Sequence, residues 1–523
     1  MMNPLNNLDY CYNYIKHMTR YLKYIDLILS PIAGFIAIYL FTKYSGIGVS
    51  PDSIMYTSAA RNLNAHGSLI TFNNTPITDF PVFYPVFLGL ELFITGIDPI
   101  KAGPVLNAIL FAAILFLSRR AINRFVPCSI VYRWLMLTAI VLSPALLEVY
   151  TFLWSETLFI LVILFFILAA RQYFAKHTLT TLLVFAFVAA LSSITRYAGI
   201  TVIGTGGLLL LMDRSLILKK KIQHILIYSV AASSFLALNL LRNIMVTSRL
   251  TGPREASFTP FMKNVYYFGT VMCDWVGLTE KAYPYATLFT ILLFIGLIAI
   301  LIYNYFKKHV GSYENLLLTF TIVYGAFIII SSTFSRYERI NSRLLSPFFI
   351  SLLLSCTYWS IGFIKSLSIK WRYAALPVLT ALMLGFCYQE LLTDMARYDS
   401  ESEFGIPGYT DDSWNKSDFA NYLKKDHGLF KPGVPIYSDA NEALYFLSDT
   451  KVKLLPHRYF KNTIQNFYRV KHYYLVWFNQ MDNPEIISLK DIVKVEQLKL
   501  LKQFTATGDE GTIDGAIYEY EGN

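Results

Sequence analysis

Nine charged side chains stand in this chain where its apolar runs should tolerate few. Five are acids (Asp52, Asp79, Glu148, Glu156, Asp274) and four are arginines (Arg196, Arg336, Arg339, Arg343). A carboxylate held by a preformed helix can take a proton from a hydroxyl, or bind a divalent cation through oxygen ligands. Guanidinium groups hold phosphate through two parallel hydrogen bonds. Plainer roles exist for each. An acid in a first helical turn favours the helix dipole, which would suffice for Asp52. Glu156 in "WSETLF" also reads as a helix start. A lone arginine at a span end can snorkel or pair, for instance with Glu338. Four arginines together are harder to explain that way, and Arg336, Arg339 and Arg343, at i, i+3 and i+7, would share one helical face.

Asp52 and Asp79 need elements to position them, and both fall in 44–101, the longest polar interruption in the first three quarters of the sequence. Ser50-Pro51-Asp52-Ser53 reads as a helix start: serine as cap, proline at the first position, an acid in the first turn. Met55, Ala59 and Leu63 then give an apolar stripe, and His66-Gly67 ends the helix. After Pro81 and Pro85 comes "FLGLELFITGI", too short to cross a hydrocarbon core of about 30 Å. The expectation is two helices at a membrane surface, each introduced by an aspartate.

The membrane itself follows from composition. The chain is 55% hydrophobic and 15% charged, with mean hydropathy +0.44, which excludes an ordinary soluble protein of this length. Apolar spans are expected at about 24–43, 102–118, 134–150, 157–170, 179–195, 198–212, 223–241, 285–305, 315–333, 344–362 and 373–389. Eleven spans put the loops with Arg119/Arg120/Arg124/Arg133, Arg171/Lys176, Arg214/Lys219/Lys220/Lys221, Lys307/Lys308 and Lys365/Lys370/Arg372 on the side of the N-terminus. Lys16, Arg20 and Lys23 precede the first span. The positive-inside rule makes that side cytoplasmic. Segments 44–101, 242–284 and 390–523 then share the outer face, where the obvious phosphate is a lipid's.

The tail is different material. Residues 390–523 hold 15 basic against 21 acidic side chains, while the remainder holds 30 against 14. "SDFANYLKKDHGLF" and "ANEALYFLSD" look helical; "GVPIYSD", "KVKLLPH", "YYLVWF" and "GAIYEYE" look like strands. The fold class expected is a polytopic α-helical membrane protein of about eleven transmembrane helices over 1–389, with a small extracytoplasmic α/β domain over 390–523. Five cysteines (11, 128, 273, 356, 387) show no paired spacing, and His66, His457 and His472 are isolated. No nucleotide-binding glycine loop is present, and the basic excess reports membrane orientation rather than a nucleic-acid partner.

With these pieces placed, the chain resembles bacterial members of the GT-C superfamily. These are polytopic glycosyltransferases of the family-39 type, related to protein O-mannosyltransferases and aminoarabinose transferases. The resemblance rests on "SPDSIMYTSAARNLNAHG", "TDFPVFYPVFLGL", "WSETLF", "ITRYAGI" and "SRLLSPFF", in that order over roughly 25–390, and on "IYSDANEALYFLSD" in the tail. It implies that Asp52 is catalytic, with Asp79 and Glu156 as catalytic or metal partners. It also implies a donor phosphate bound by Arg343, with Arg336, Arg339 and Arg196 as further candidates, and a divalent cation (Mg or Mn) as a possible cofactor. Many members carry a second acid after the first, where this chain has Ser53. The implied activity is transfer of a sugar from a polyprenyl-phosphate donor to a hydroxyl of a glycan, lipid or protein acceptor, at the outer face of the plasma (inner) membrane. A transporter or flippase of a lipid-linked sugar would use the same arginines but gives no role to the acid-bearing loop. A structural membrane subunit would account for the tail alone.

Overall fold

The computed structural model describes residues 24–125, 130–278, 280–307, 309–336, 338–425, 428–481, 483–505 and 513–522. Lys16, Arg20, Lys23, Cys11, Cys128 and Lys308 lie outside the described residues. In chain order the helices before the tail are α1 Tyr24–Thr42, α2 Pro51–His66, α3 Phe83–Thr95, α4 Pro99–Phe125, α5 Ile130–Val141, α6 Pro144–Thr151, α7 Glu156–Lys176, α8 Leu179–Thr195, α9 Ile200–Met212, α10 Leu218–Thr247, α11 Phe261–Trp275, α12 Ala286–Phe306, α13 Tyr313–Phe334, α14 Ser342–Ser366 and α15 Ile369–Phe404. Two compact units contain them. The first takes the chain up to Leu40, then Thr78–Tyr84 and Pro104–Tyr398; the second takes Phe41–Ile77, Pro85–Gly103 and Asp399–Asn523.

This is a polytopic α-helical membrane protein. All eleven expected segments are helical, but among the described residues eight helices are long and apolar enough to cross a membrane. A ninth span forms if α5 and α6 count as one, bent by 48°. The segment 134–150, expected as one span, is therefore broken. Pro144 brings no N–H and disfavours helical geometry at Ser143 before it. Ser143 instead caps α6, accepting from the Leu146 N–H at 3.4 Å. α8 and α9, at 17 and 13 residues, fall short of the roughly 20 residues a perpendicular span needs. α3 is a short apolar helix of 13 residues, as expected.

Not all the basic residues read as loop charge face water. Arg133 and Arg119 are buried in the first unit and share the buried Asp26 of α1. Arg133 Nε donates to one Asp26 oxygen at 2.6 Å, and Arg119 Nη2 to the other at 3.0 Å. The three side chains tie α1, α4 and α5 together where lone charges would be costly.

In the second unit α2 begins and ends as expected. The Ser50 N–H donates to Ser53 Oγ at 3.1 Å, and Gly67 closes the helix at φ 64° with its N–H on Leu63 O. Its buried face differs from the expected stripe: Ile54, Tyr56, Ala59 and Ala60 are buried while Met55 and Leu63 are only half-buried. Burial runs nearly around the helix, because the tail packs on it. Tyr409 N–H donates to Val49 O, Ile406 N–H to Ser45 Oγ and Val452 N–H to Asn73 Oδ1. The Phe72 and Tyr445 rings stack at 4.4 Å.

The tail is a small α/β fold. Its strands are β1 Ile436–Ser438, β2 Lys453–Leu454, β3 His472–Phe478, β4 Lys499–Phe504 and β5 Gly515–Glu521, in sheet order β2-β1-β3-β5-β4. β1 runs parallel to β2 and β3; β5 is antiparallel to β3 and β4. Tyr437, Phe467, Tyr473, Leu475 and Ile492 form its core. The expected helical segments appear as the shorter helices Asp418–Leu423 and Asn441–Ser448.

The Asp26 cluster sets a stability test. Asp26→Asn leaves two buried guanidinium groups without their anion and should destabilise the protein by about 3–5 kcal/mol, the usual cost of breaking a buried pair. Thermal unfolding in detergent measures it, and an unchanged transition would show that the cluster contributes nothing.

Candidate functional site

The first unit gathers part of the expected set around Glu156. Glu156 opens α7 and is 1% exposed. Its Oε1 accepts from Arg343 Nε at 2.7 Å, and its Oε2 lies 2.6 Å from Arg196 Nη1. Arg196 also donates to Ser155 Oγ at 2.8 Å, and the Arg343 guanidinium lies 4.0 Å from the Trp154 ring centroid. Glu338 approaches Arg343 at 3.6 Å from the more exposed side. One carboxylate thus orients two guanidinium groups.

Local folding explains how "WSETLF" does this. Asn107 Nδ2 donates to the carbonyls of Tyr150 and Phe152, holding the turn ahead of α7. Thr157 Oγ1 donates to Trp154 O, and Trp154 stacks on Phe152 at 4.2 Å. Arg196 leaves the end of α8 in extended geometry, followed by the tight turn Tyr197–Gly199. Gly199 sits so close to the Ser192 carbonyl that a Cβ would overlap it. On the other side, Asn341 caps α14 by accepting from the Leu344 N–H at 3.0 Å, which places Arg343 in the first turn.

The other arginines correct the expected common face. α13 ends at Phe334 and α14 starts at Ser342, so Arg336 and Arg339 lie on no helix and only Arg343 does. Residue 335 instead forms a β-bridge with Ala256, which pulls the connection away from helical geometry. Arg336 pairs with Glu255 at 3.1 Å, and Arg339 lies over the Tyr267 ring. Asp79 packs against Gly252, where a Cβ would collide with its carboxylate, and Arg254 and Arg249 stand near it. Tyr197, next to Arg196, donates to Thr78 O at 2.9 Å, linking the two segments.

Asp52 belongs to the second unit. It is half-buried in the first turn of α2 and acts on Tyr409, whose phenol burial raises well above its ordinary range, with Glu442, Asp52 and Asp439 adding to the shift. Asp439 follows β1 directly and is pushed by burial up to about 7, although it accepts the Phe478 N–H at 3.0 Å. Sequence reasoning did not single out Asp439, though "IYSDANEALYFLSD" contains it.

No protein-family model matches the chain, and no curated protein matches it. Solved structures do. ArnT from Cupriavidus metallidurans bound to undecaprenyl phosphate superposes with TM-score 0.55 at 11% identity, covering 95% of this chain and 97% of that one. AglB, the archaeal oligosaccharyltransferase from Archaeoglobus fulgidus, in complex with an inhibitory peptide and a dolichol-phosphate, gives TM-score 0.51 at 13% identity, covering 95% and 74%. The chain has the GT-C fold.

Within that fold the Glu156 cluster can be tested as a unit. Glu156→Gln keeps the shape but removes the charge facing two guanidinium groups. A loss of about 3 kcal/mol or more in thermal stability is expected, as for any buried pair deprived of one partner. Phosphate or pyrophosphate added at millimolar concentration should restore part of it in the variant. Stability equal to the parent's would show that Glu156 does not hold the arginines.

Proposed function

We propose that the chain is a membrane glycosyltransferase that moves a sugar from a polyprenyl-phosphate donor to an acceptor hydroxyl at the outer face of the membrane, with its N-terminus cytoplasmic and its tail domain extracytoplasmic. The observation that carries the reading is the arginine pair on Glu156. One buried carboxylate holds two guanidinium groups in fixed geometry, and planar forks so oriented suit a phosphate ester. The superposed ArnT carries undecaprenyl phosphate and the superposed AglB carries a dolichol-phosphate, both polyprenyl phosphates.

In this reading the acceptor oxygen attacks the anomeric carbon, the bond to the donor phosphate breaks with inversion, and Asp52 takes the acceptor's proton. Arg343, with Arg196, stabilises the charge left on the departing phosphate. Support for Asp52 is its own setting, a capped first turn held by the tail, together with the family resemblance of "SPDSIMYTSAARNLNAHG". The carboxylates do not fit a bound divalent cation. Both oxygens of Glu156 face arginines, and Asp79 stands beside Arg254 and Arg249. Among the described residues the one group with metal-ligand spacing is His472, Glu519 and Glu521 in the tail, where Lys431 already lies 3.4 Å from Glu519. No step is therefore routed through a metal.

Purified full-length protein, incubated with a panel of polyprenyl-phosphate sugars and followed by release of free carrier, tests the activity. Arg343→Lys should lower turnover about 100-fold or more, because an ammonium cannot reproduce the bidentate fork. Wild-type turnover and donor affinity in Arg343→Ala would reject the phosphate assignment.

Asp52→Asn separates chemistry from structure, since asparagine serves a helix N-terminus nearly as well. Loss of a positioned base should cut transfer at least ~100-fold with donor binding retained. A residue that only favours the helix dipole would cost about 0.3–1 kcal/mol of stability and leave transfer intact. That outcome would move the search for the base to Asp79.

A further inference from the structure

In the tail, β3 and β5 bring together three side chains that stand far apart in sequence: His472, Glu519 and Glu521. The antiparallel register sets His472 opposite Glu521 and Tyr474 opposite Glu519. Residues two apart on a strand point the same way, so the three share one face of the sheet. His472 Nε2 lies 3.1 Å from Glu519 Oε1 and 3.6 Å from Glu521 Oε1. Among the described residues this is the one group whose ligand atoms all fall within 4.8 Å of one another. A cation already stands there. Lys431 Nζ lies 3.4 Å from Glu519 Oε1 and 3.5 Å from Glu521 Oε1. The Glu519 carboxyl is held below the usual carboxylate range, first by the His472 hydrogen bond and then by Lys431. It is therefore an anion ready to bind metal.

We propose that His472, Glu519 and Glu521 form a binding site for a divalent transition metal of the zinc class, with Lys431 swinging out to water as the ion enters. Ligands at about 2.0–2.1 Å in tetrahedral array stand about 3.3 Å apart, and the two His472–carboxylate separations bracket that length. One imidazole among the ligands favours zinc over magnesium or calcium, which take oxygen alone. His472 binds as the neutral ring with its proton on Nδ1, so the metal replaces the Nε2–H bond to Glu519. Two paired strands hold the ligands, which limits the movement that binding requires. Lys431 is 62% exposed, and an exposed ion pair of this kind is weak enough to give way. The ion would tie β5 to β3 across 47 residues of sequence. The site lies outside the transfer reading and does not depend on it.

The test titrates full-length protein in detergent, stripped with EDTA and dialysed, with zinc chloride in a calorimeter. The parent should bind zinc, and millimolar magnesium should not compete. His472→Gln should weaken binding at least about 10-fold, the lower end of what losing even an outer-shell partner costs. Glu521→Gln should weaken it likewise; this side chain is 63% exposed, so the variant serves if His472→Gln does not fold. Lys431→Gln should instead tighten binding about 2–5-fold, because it removes the competing ammonium. A parent that binds no zinc overturns the proposal, as does parental affinity in the folded ligand variants. So does a site that magnesium fills equally, or zinc binding that Lys431→Gln fails to tighten.

Discussion

Glu156 between Arg196 and Arg343 is the contact on which the rest of the candidate site depends. A single carboxylate buried this deeply is costly, and two partly buried guanidinium groups without it would be worse. The arrangement holds only if three separate segments arrive together: the turn before α7, the break after α8 and the first turn of α14. Asn107, Gly199 and Asn341 each secure one of those arrivals. The neighbouring Ser155 then accepts from Arg196, and the Trp154 ring covers one face of Arg343. Breaking the carboxylate therefore releases more than one ion pair.

Charge inside this apolar chain follows two patterns. Asp26 with Arg119 and Arg133, like Glu156 with its arginines, matches one acid to two bases. The first ties helices where positive charge was expected to be exposed. The second holds two guanidinium groups in fixed orientation, with Glu338 against Arg343 from the more exposed side. Glu390 with Asp394 is the reverse, two buried acids on one helix beside an acid-lined cavity. Ionisable groups in membrane segments are kept at a cost.

Much of this was legible in the sequence. Apolar runs located the helices because length and hydropathy alone decide whether a segment can be membrane-embedded, and Ser50-Pro51 and Gly67 marked both ends of α2 through local backbone chemistry. "WSETLF" and "SRLLSPFF" were visible as motifs, but that Glu156 would meet Arg343 across 187 residues is a tertiary fact. The common face assumed for Arg336, Arg339 and Arg343 failed because a β-bridge outside the segment, from Ala256 to Ser335, overrides helical periodicity. β4 was missed because "KLLKQF" carries lysines at an exposed sheet edge, a device that hides the apolar alternation. Glu390 and Asp394 were hidden by α15 itself, which runs unbroken to Phe404 past the point where the apolar run ends.

The placement of Asp52 is a joint property of two distant parts of the sequence. Val49, three residues before it, accepts from Tyr409, and α2 is buried against the tail rather than by its own amphipathic stripe. That makes the electrostatics around Asp52 depend on the tail as well. Asp439, at about 7 against an ordinary 3.8, favours its proton in the folded state. Its contribution to stability is present below about 4 and is lost as pH rises through about 7, when a third carboxylate joins Asp52 and Glu442 around the Tyr409 phenol. The tail that fixes the position of Asp52 thus also brings Glu442 and Asp439 to the same phenol, so the surroundings of the proposed base are built by residues nearly four hundred positions away in sequence.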